Sequence, residues 1–292
     1  MTKRHTSSIL QCPVCREPLW PSAAGYQCSR KHAFDAARQG YVNFLLAHRK
    51  HSKEPGDSAA MIKGRRRFLD LGFYNRISEG INETVAAHLP GPAPGKAPTV
   101  LDAGGGEGFY LQRLGAFLAG RPGHPAAIDY YGVDISKFAV RLATQRDKAM
   151  HWFVASIVDL PFAPLALDII LNIFSRADFV EFARVLAPAG KLVIVGPGPR
   201  HLNGLREIIY PVTREHAPSA RPEQAGKLFS LVSTTRVHYR FELQNAAEIM
   251  DLLAMTPYFW NIDLNTKARV EELDRLESDV DVEIRVFRKN EQ

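Results

Sequence analysis

The run Val100-Leu101-Asp102-Ala103-Gly104-Gly105-Gly106-Glu107-Gly108 constrains this chain more than any other stretch. It follows a short apolar segment, 99–103, that reads as a strand, and it opens a segment, 109–119, with helical spacing. Glycines between a strand and a helix allow a tight turn and let the backbone approach a ligand closely. The alternation then continues. Segments 130–135, 151–155, 167–174 and 191–195 read as strands, and 138–147 and 177–186 as helices, the last stopped by Pro188-Ala189-Gly190. Apolar strands separated by helices predict a parallel sheet covered on both faces. Beyond residue 200, segments 232–242 and 281–288 alternate like strands, with helices near 245–254 and 266–276. The pattern predicts a doubly wound α/β domain over 97–292.

The turn also points to a ligand. Asp134 stands near the end of the second strand, where a carboxylate can accept hydrogen bonds from both hydroxyls of a ribose. Dinucleotide enzymes share that logic, so an NAD enzyme is the rival reading. Three features favour S-adenosylmethionine. Asp102 opens the turn. The third glycine of a Gly-x-Gly-x-x-Gly phosphate loop counted from Gly104 and Gly106 would fall on Phe109. Val154-Ala155-Ser156 with Asp159-Leu160-Pro161-Phe162 resembles the segment that lines the adenine in methyltransferases. Asp102, Gly104, Gly106 and Asp134 are therefore candidate cofactor residues.

A second signature precedes this domain. Cys12-x-x-Cys15 is followed by Cys28-x-x-x-His32, which uses every cysteine in the chain. Three thiolates and an imidazole at that spacing make a closed tetrahedral zinc site with no position left for substrate. Pro13 and Gly25 suit the turns such a knuckle needs. So short a segment cannot fold on a hydrophobic core alone, so the metal supplies folding free energy. Three cysteines in one cluster also speak against a disulfide framework and for a reducing compartment. No apolar run has signal-peptide or membrane-span length, so the expected location is cytoplasmic.

The zone 49–67 is basic, with Arg49, Lys50, Lys53, Lys63, Arg65, Arg66 and Arg67 against Glu54 and Asp57. The whole chain of 292 residues carries a formal charge of +6. Both suit a polyanionic partner. Residues 58–89 read as helical, with possible breaks at Gly72 and Gly80, and Pro90-Gly91-Pro92-Ala93-Pro94-Gly95 reads as a linker. Three regions are expected: a zinc-binding module over 1–48 that suits RNA recognition, a basic segment with helix and linker over 49–96, and an α/β domain over 97–292 that suits an S-adenosylmethionine-dependent methyltransferase.

Longer strings carry a resemblance. These are Cys12-Pro13-Val14-Cys15, Phe34-Asp35-Ala36-Ala37-Arg38-Gln39-Gly40-Tyr41-Val42-Asn43-Phe44-Leu45, and Pro55-Gly56-Asp57-Ser58. Phe68-Leu69-Asp70-x-Gly72-x-Tyr74 and Pro197-Gly198-Pro199-Arg200-His201-Leu202 follow. The chain resembles the 23S rRNA guanine-N1 methyltransferases of the RlmA type, which include macrolide-resistance relatives. The resemblance implies a class I Rossmann-like methyltransferase sheet with a structural Zn2+ and methyl transfer to N1 of a guanine in a hairpin loop of 23S ribosomal RNA. It further implies that Tyr74, Gly106, Glu107 and His201 contact the cofactor, and it is compatible with a homodimer. Asn172-Ile173-Phe174-Ser175 looks more like the subgroup linked to tylosin-type resistance, although Arg176 stands where a proline is usual. Asn172 and Ser175 are candidates to hold the guanine edge, and Asp178 or solvent to accept its N1 proton; the sequence names no catalytic base. Two alternatives remain at this point: a small-molecule methyltransferase, and an inactive methyltransferase-like protein that binds RNA.

Overall fold

A computed structural model describes residues 9–47, 55–91, 96–210, 225–260 and 262–291. Arg49, Lys50 and Lys53 of the basic zone and Pro92-Ala93-Pro94-Gly95 of the linker lie outside the described residues.

Three short strands, β1 (Leu19–Pro21), β2 (Gly25–Cys28) and β3 (Ala33–Asp35), form a small antiparallel sheet. Gly25 serves that sheet and not a metal knuckle: a Cβ there would stand 2.2 Å from the Phe34 carbonyl oxygen. The knuckle turns instead fall to Arg16 and Lys31, each with a positive φ (64° and 66°). The chain then enters β4 (Val42–Asn43).

Helices α1 (Ala59–Asp70) and α2 (Asn75–His88) follow. Ser58 caps α1 by accepting from the Met61 N–H. The predicted break falls at Gly72, whereas Gly80 stays inside α2. The alternating part runs β5 (Thr99–Ala103), α3 (Phe109–Leu118), β6 (Asp129–Asp134), α4 (Lys137–Arg146), β7 (His151–Val154), β8 (Leu167–Ile173), α5 (Phe179–Val185) and β9 (Leu186–Pro197). Next come α6 (Asn203–Ile209), β10 (Phe229–Leu243), α7 (Ala246–Ala254), α8 (Leu264–Glu271) and β11 (Leu276–Lys289).

One eight-stranded sheet orders these strands β10-β11-β9-β8-β5-β6-β7-β4. The steps from β9 through to β4 are parallel, and β11 runs antiparallel to both β9 and β10. The order reverses between β5 and β8, so a crevice opens at the carboxyl ends of these strands, where α/β sheets place ligands. This is the class I Rossmann-like sheet.

Side chains alternate across each strand. Val100, Trp152 and Ile169 pack with α1 to α4 and α7 on one face. Leu101, Phe153 and Ile170 point to the other face. Both faces are covered, as expected, but the second face is covered differently: Phe179, Phe182, Ala183 and Val185 of α5 lie on it together with Leu19 and Phe44 of the N-terminal segment. The Phe44 and Phe153 rings lie 5.1 Å apart, and Tyr26 meets Phe153 edge-on at 6.3 Å. Backbone bonds join the same surfaces: Gln11 N–H to the Pro161 carbonyl (3.0 Å) and Phe44 N–H to the Val154 carbonyl (2.9 Å). Each large apolar side chain buried there contributes about 1.5–3 kcal/mol.

Candidate functional site

The glycine turn stands at the carboxyl end of β5, the second-strand acid at the end of β6, and both open on one cavity of about 600 Å³. Asp102, Gly104, Gly106, Glu107 and Asp134 line it from the sheet. Tyr74, from the N-cap of α2, and His201, from the segment after β9, line it from the other side. The residues singled out in the sequence from three distant stretches thus converge.

The turn is built closely. Gly104 has φ +87°, and a Cβ on it would stand 2.2 Å from the Ser175 hydroxyl oxygen, so the loop after β8 rests directly on it. The Gly106 N–H donates to Asp134 Oδ2 (2.9 Å) and the Ser136 N–H to Oδ1 (2.8 Å). These bonds fix the carboxylate while leaving each oxygen a lone pair. Burial raises the Asp134 pKa, and the two N–H donors oppose that rise.

Asp102 is different. It is 1% exposed, and neither carboxylate oxygen has a hydrogen-bond partner. Burial, with the Asp134 charge adding to it, pushes its carboxyl up to about 7. Such a group is costly unless a partner meets it. Glu107 is half provided for: Oε2 pairs with Arg146 (2.7 Å), which also reaches Asp70 (2.8 Å), while Oε1 is buried without a partner.

On the opposite wall the Asp281 N–H donates to His201 Nδ1 (3.3 Å). The ring proton therefore sits on Nε2, which donates to the Tyr74 hydroxyl oxygen (3.3 Å). Tyr74 keeps its own O–H for a further acceptor. Phe174 stacks on His201 (5.7 Å, 16°), is 40% exposed, and has φ 49°.

At the far side of the sheet Cys12, Cys15, Cys28 and His32 bring their ligand atoms within 4.8 Å of one another. The Cys15–Cys28 sulfurs lie 3.6 Å apart, and His32 Nδ1 lies 3.6 Å from Cys12 and 3.4 Å from Cys28. Desolvation raises the Cys28 thiol, but the His32 and Arg30 N–H groups and Cys15 outweigh it and hold it at about 7.

Comparison with known proteins places this geometry. Residues 10–53 match the RlmA N-terminal zinc-ribbon family, and residues 101–194 match a methyltransferase domain family. YxjB of Bacillus subtilis (strain 168), provisionally named a 23S rRNA (guanine-N1-)-methyltransferase, is 32% identical over 97% of this chain and 98% of its own. The 23S rRNA (guanine(748)-N1)-methyltransferase of Streptomyces fradiae is 31% identical over 91% of each chain. The chain belongs to the 23S rRNA (guanine-N1)-methyltransferase family.

Both groups that this family implies fit the residues present. A tetrahedral zinc ion with bonds of about 2.0–2.3 Å has ligand-to-ligand edges of about 3.5–3.8 Å. The three distances at the cysteine cluster are close to that. In a guanine-N1 methyltransferase the cavity must accept a donor with a ribose and an ammonium group. Asp134 is oriented for the first, and the orphaned Asp102 carboxylate is a partner for the second.

Other sequence candidates are placed elsewhere. Asn172 is fully buried and does not line the cavity. Its amide donates to the Ala103 carbonyl (2.9 Å) and the Arg176 carbonyl (3.1 Å), so it pins the loop after β8 to the end of β5. Ser175 does line the cavity. Asp178 is no proton acceptor for a base: it caps α5, taking the Glu181 N–H (2.9 Å), and lies outside the cavity wall. The arginine triplet is occupied internally. Arg66 pairs with Asp70 (3.8 Å), Arg67 forks onto Asp251 through Nε (2.8 Å) and Nη2, and Arg65 pairs with Asp57 (2.5 Å) inside the cavity. Sequence reasoning missed Arg65 as a cavity residue and missed Tyr110 and Phe174. The one available signal was the position of Tyr110 directly after the turn.

Proposed function

We propose that this chain transfers the methyl group of S-adenosylmethionine to N1 of a guanine in a hairpin loop of 23S ribosomal RNA. The observation that carries the reading is the orphaned Asp102 carboxylate in a cavity walled by the glycine turn and Asp134. Asp134 would hold the ribose hydroxyls, the backbone of Gly104 and Gly106 the chain that joins ribose to amino acid, and Asp102 the ammonium. Glu107, through Oε1, and Tyr74, braced by His201, would close the remaining walls. When bound, the donor supplies an electrophilic methyl on a sulfonium, and in-line positioning then dominates the rate.

Phe174, stacked on His201 and still partly exposed, presents an aromatic ring to the cavity. An extruded guanine can stack on such a face, as single-stranded RNA bases do on aromatic side chains. The zinc module carries exposed cations, Arg30, Lys31 and Arg38, and an exposed Trp20. Arg30 also pairs with Glu17 (3.9 Å), but it stands far more exposed than Arg65 or Arg66, so this set suits the phosphates and bases of the hairpin better. The reading also takes residues 1–48 as the RNA-docking region, 49–96 as the connector that closes the cavity, and 97–292 as the catalytic domain. No described helix is long and apolar enough to cross a membrane; a cytoplasmic location and a homodimer belong to the same proposal.

The test is incubation with methyl-labelled donor and either unmodified large-subunit RNA or protein extract. Label in RNA as 1-methylguanine is expected. Label in protein, or in small molecules only, overturns the reading.

A further inference from the structure

Two groups in the cavity are not accounted for by the turn or by the acid pair. Tyr110 lies in the first turn of α3, and its hydroxyl is buried with no hydrogen-bond partner. Leaving such a group unmade costs about 1–3 kcal/mol. Arg65, on α1, lines the same cavity. Its Nη2 donates to Asp57 (2.5 Å) and to the Met255 carbonyl (3.5 Å). Its Nη1 lies 3.5 Å from where a Cβ on Gly106 would stand, so that edge of the guanidinium faces the turn. Burial drives the Tyr110 hydroxyl well above its ordinary pKa, and the Arg65 charge acts against that rise, which puts the two groups in each other's field. Asp102 acts on the same hydroxyl with the opposite sign.

A fixed cation and an unsatisfied O–H donor on one space make an anion site. A buried carboxylate beside them makes a cation site. Together they fit a zwitterion, which is what the amino-acid end of the donor is. We propose that Arg65 and Tyr110 bind the α-carboxylate of the methyl donor. The inference rests on the donor-site reading of this cavity given above. Asp57 anchors one side of the guanidinium, so the other side meets the carboxylate without a large loss of side-chain freedom. The phenol supplies a second donor, and hydrogen bonds to an ionised acceptor are the stronger kind. Arg65 thereby leaves the RNA-facing set in which its sequence neighbours first placed it.

Isothermal titration of the full, zinc-loaded chain tests this with two ligands, S-adenosylmethionine and its decarboxylated analogue. They share adenosine, sulfonium and amine, and differ in the carboxylate. Wild type should bind the analogue at least about tenfold more weakly. Arg65→Gln and Tyr110→Phe should each lower S-adenosylmethionine affinity by about 5–20-fold and change analogue affinity by less than about twofold. Tyr110→Phe deletes only an unsatisfied hydroxyl, so it should fold with an equal or higher Tm and keeps the test decisive if Arg65→Gln fails to fold. Equal losses for both ligands would overturn the carboxylate site. Unchanged donor affinity in Arg65→Gln, with weakened hairpin RNA binding, would overturn it in favour of a phosphate. Wild type that binds neither ligand would instead remove the donor-site reading, and the subsite with it.

Discussion

The zinc module and the donor cavity solve opposite problems with similar groups. At the module, four ligand atoms from two knuckles converge on one another, and backbone bonds such as Arg16 N–H to the Cys12 carbonyl and Lys31 N–H to the Cys28 carbonyl close the turns around them. At the cavity, carboxylate oxygens of Asp102 and Glu107 and the Tyr110 hydroxyl are buried and left without partners. The first arrangement has nothing to offer a substrate. The second is unfinished until a ligand arrives. The difference teaches that burial of polar atoms does not mark function by itself; burial without partners, around an accessible cavity, does.

The largest expected effect strikes the module. Cys12→Ser or metal removal should cost on the order of 10 kcal/mol of folding free energy. That is comparable to the whole stability of a domain. β4 is the edge strand of the main sheet and Phe44 covers one of its faces, so heat denaturation should lose the entire chain in one lowered transition. Two separate transitions, with donor binding intact in the surviving one, would show that the module is an independent bead.

A smaller effect concerns pH at the cavity. Asp102 is protonated below its value of about 7 and cannot then pair with an ammonium. Donor affinity should fall by up to about tenfold per pH unit below 7, and fall again above about 8, where the donor's own α-amino group loses its proton. Affinity independent of pH between 6 and 8 would break the link between the orphaned carboxylate and the donor.

Smaller again is the rim. Phe174→Ala should raise KM for hairpin RNA by about tenfold, since base stacking contributes about 1–3 kcal/mol. Donor affinity should change less, by about twofold, because the ring reaches the donor wall through His201, on which it stacks, and Tyr74, which it meets at a tilt. The smallest effect is electrostatic. Neutralising Arg30, Lys31 and Arg38 together should reduce the salt slope of RNA binding by up to about 2–3. Neutralising Arg66 should hardly move it, since that side chain is less exposed than Arg30 and lies against Asp70. The reverse ranking would return the RNA contact to the basic zone.

Much of this was legible in the sequence because it is local. The turn after β5, its following helix and the four metal ligands depend on residues close together in the chain. What was not legible depends on packing between distant segments. Gly25 could not be assigned to strand contact before Phe34 was known to lie against it. Asp178 has the composition of a general base and the position of a helix cap, and only the Glu181 N–H decides between them. Pro188-Ala189-Gly190 ended a helix as expected, yet these residues lie inside β9, where the register against β8 shifts. Arg65, Arg66 and Arg67 are adjacent in sequence but point to three different carboxylates.

The most direct test of the contrast is Asp102→Asn, measured for stability and donor affinity on the same preparation. An acid raised from 3.8 to about 7 by burial destabilises the empty protein as pH rises through that window, and the penalty is complete above it. At pH 8 the variant should be more stable without ligand, by on the order of 2–4 kcal/mol, and bind S-adenosylmethionine about 100-fold more weakly. A variant that is less stable and still binds the donor normally would contradict it, for Asp102 would then be a structural residue like the cysteines across the sheet.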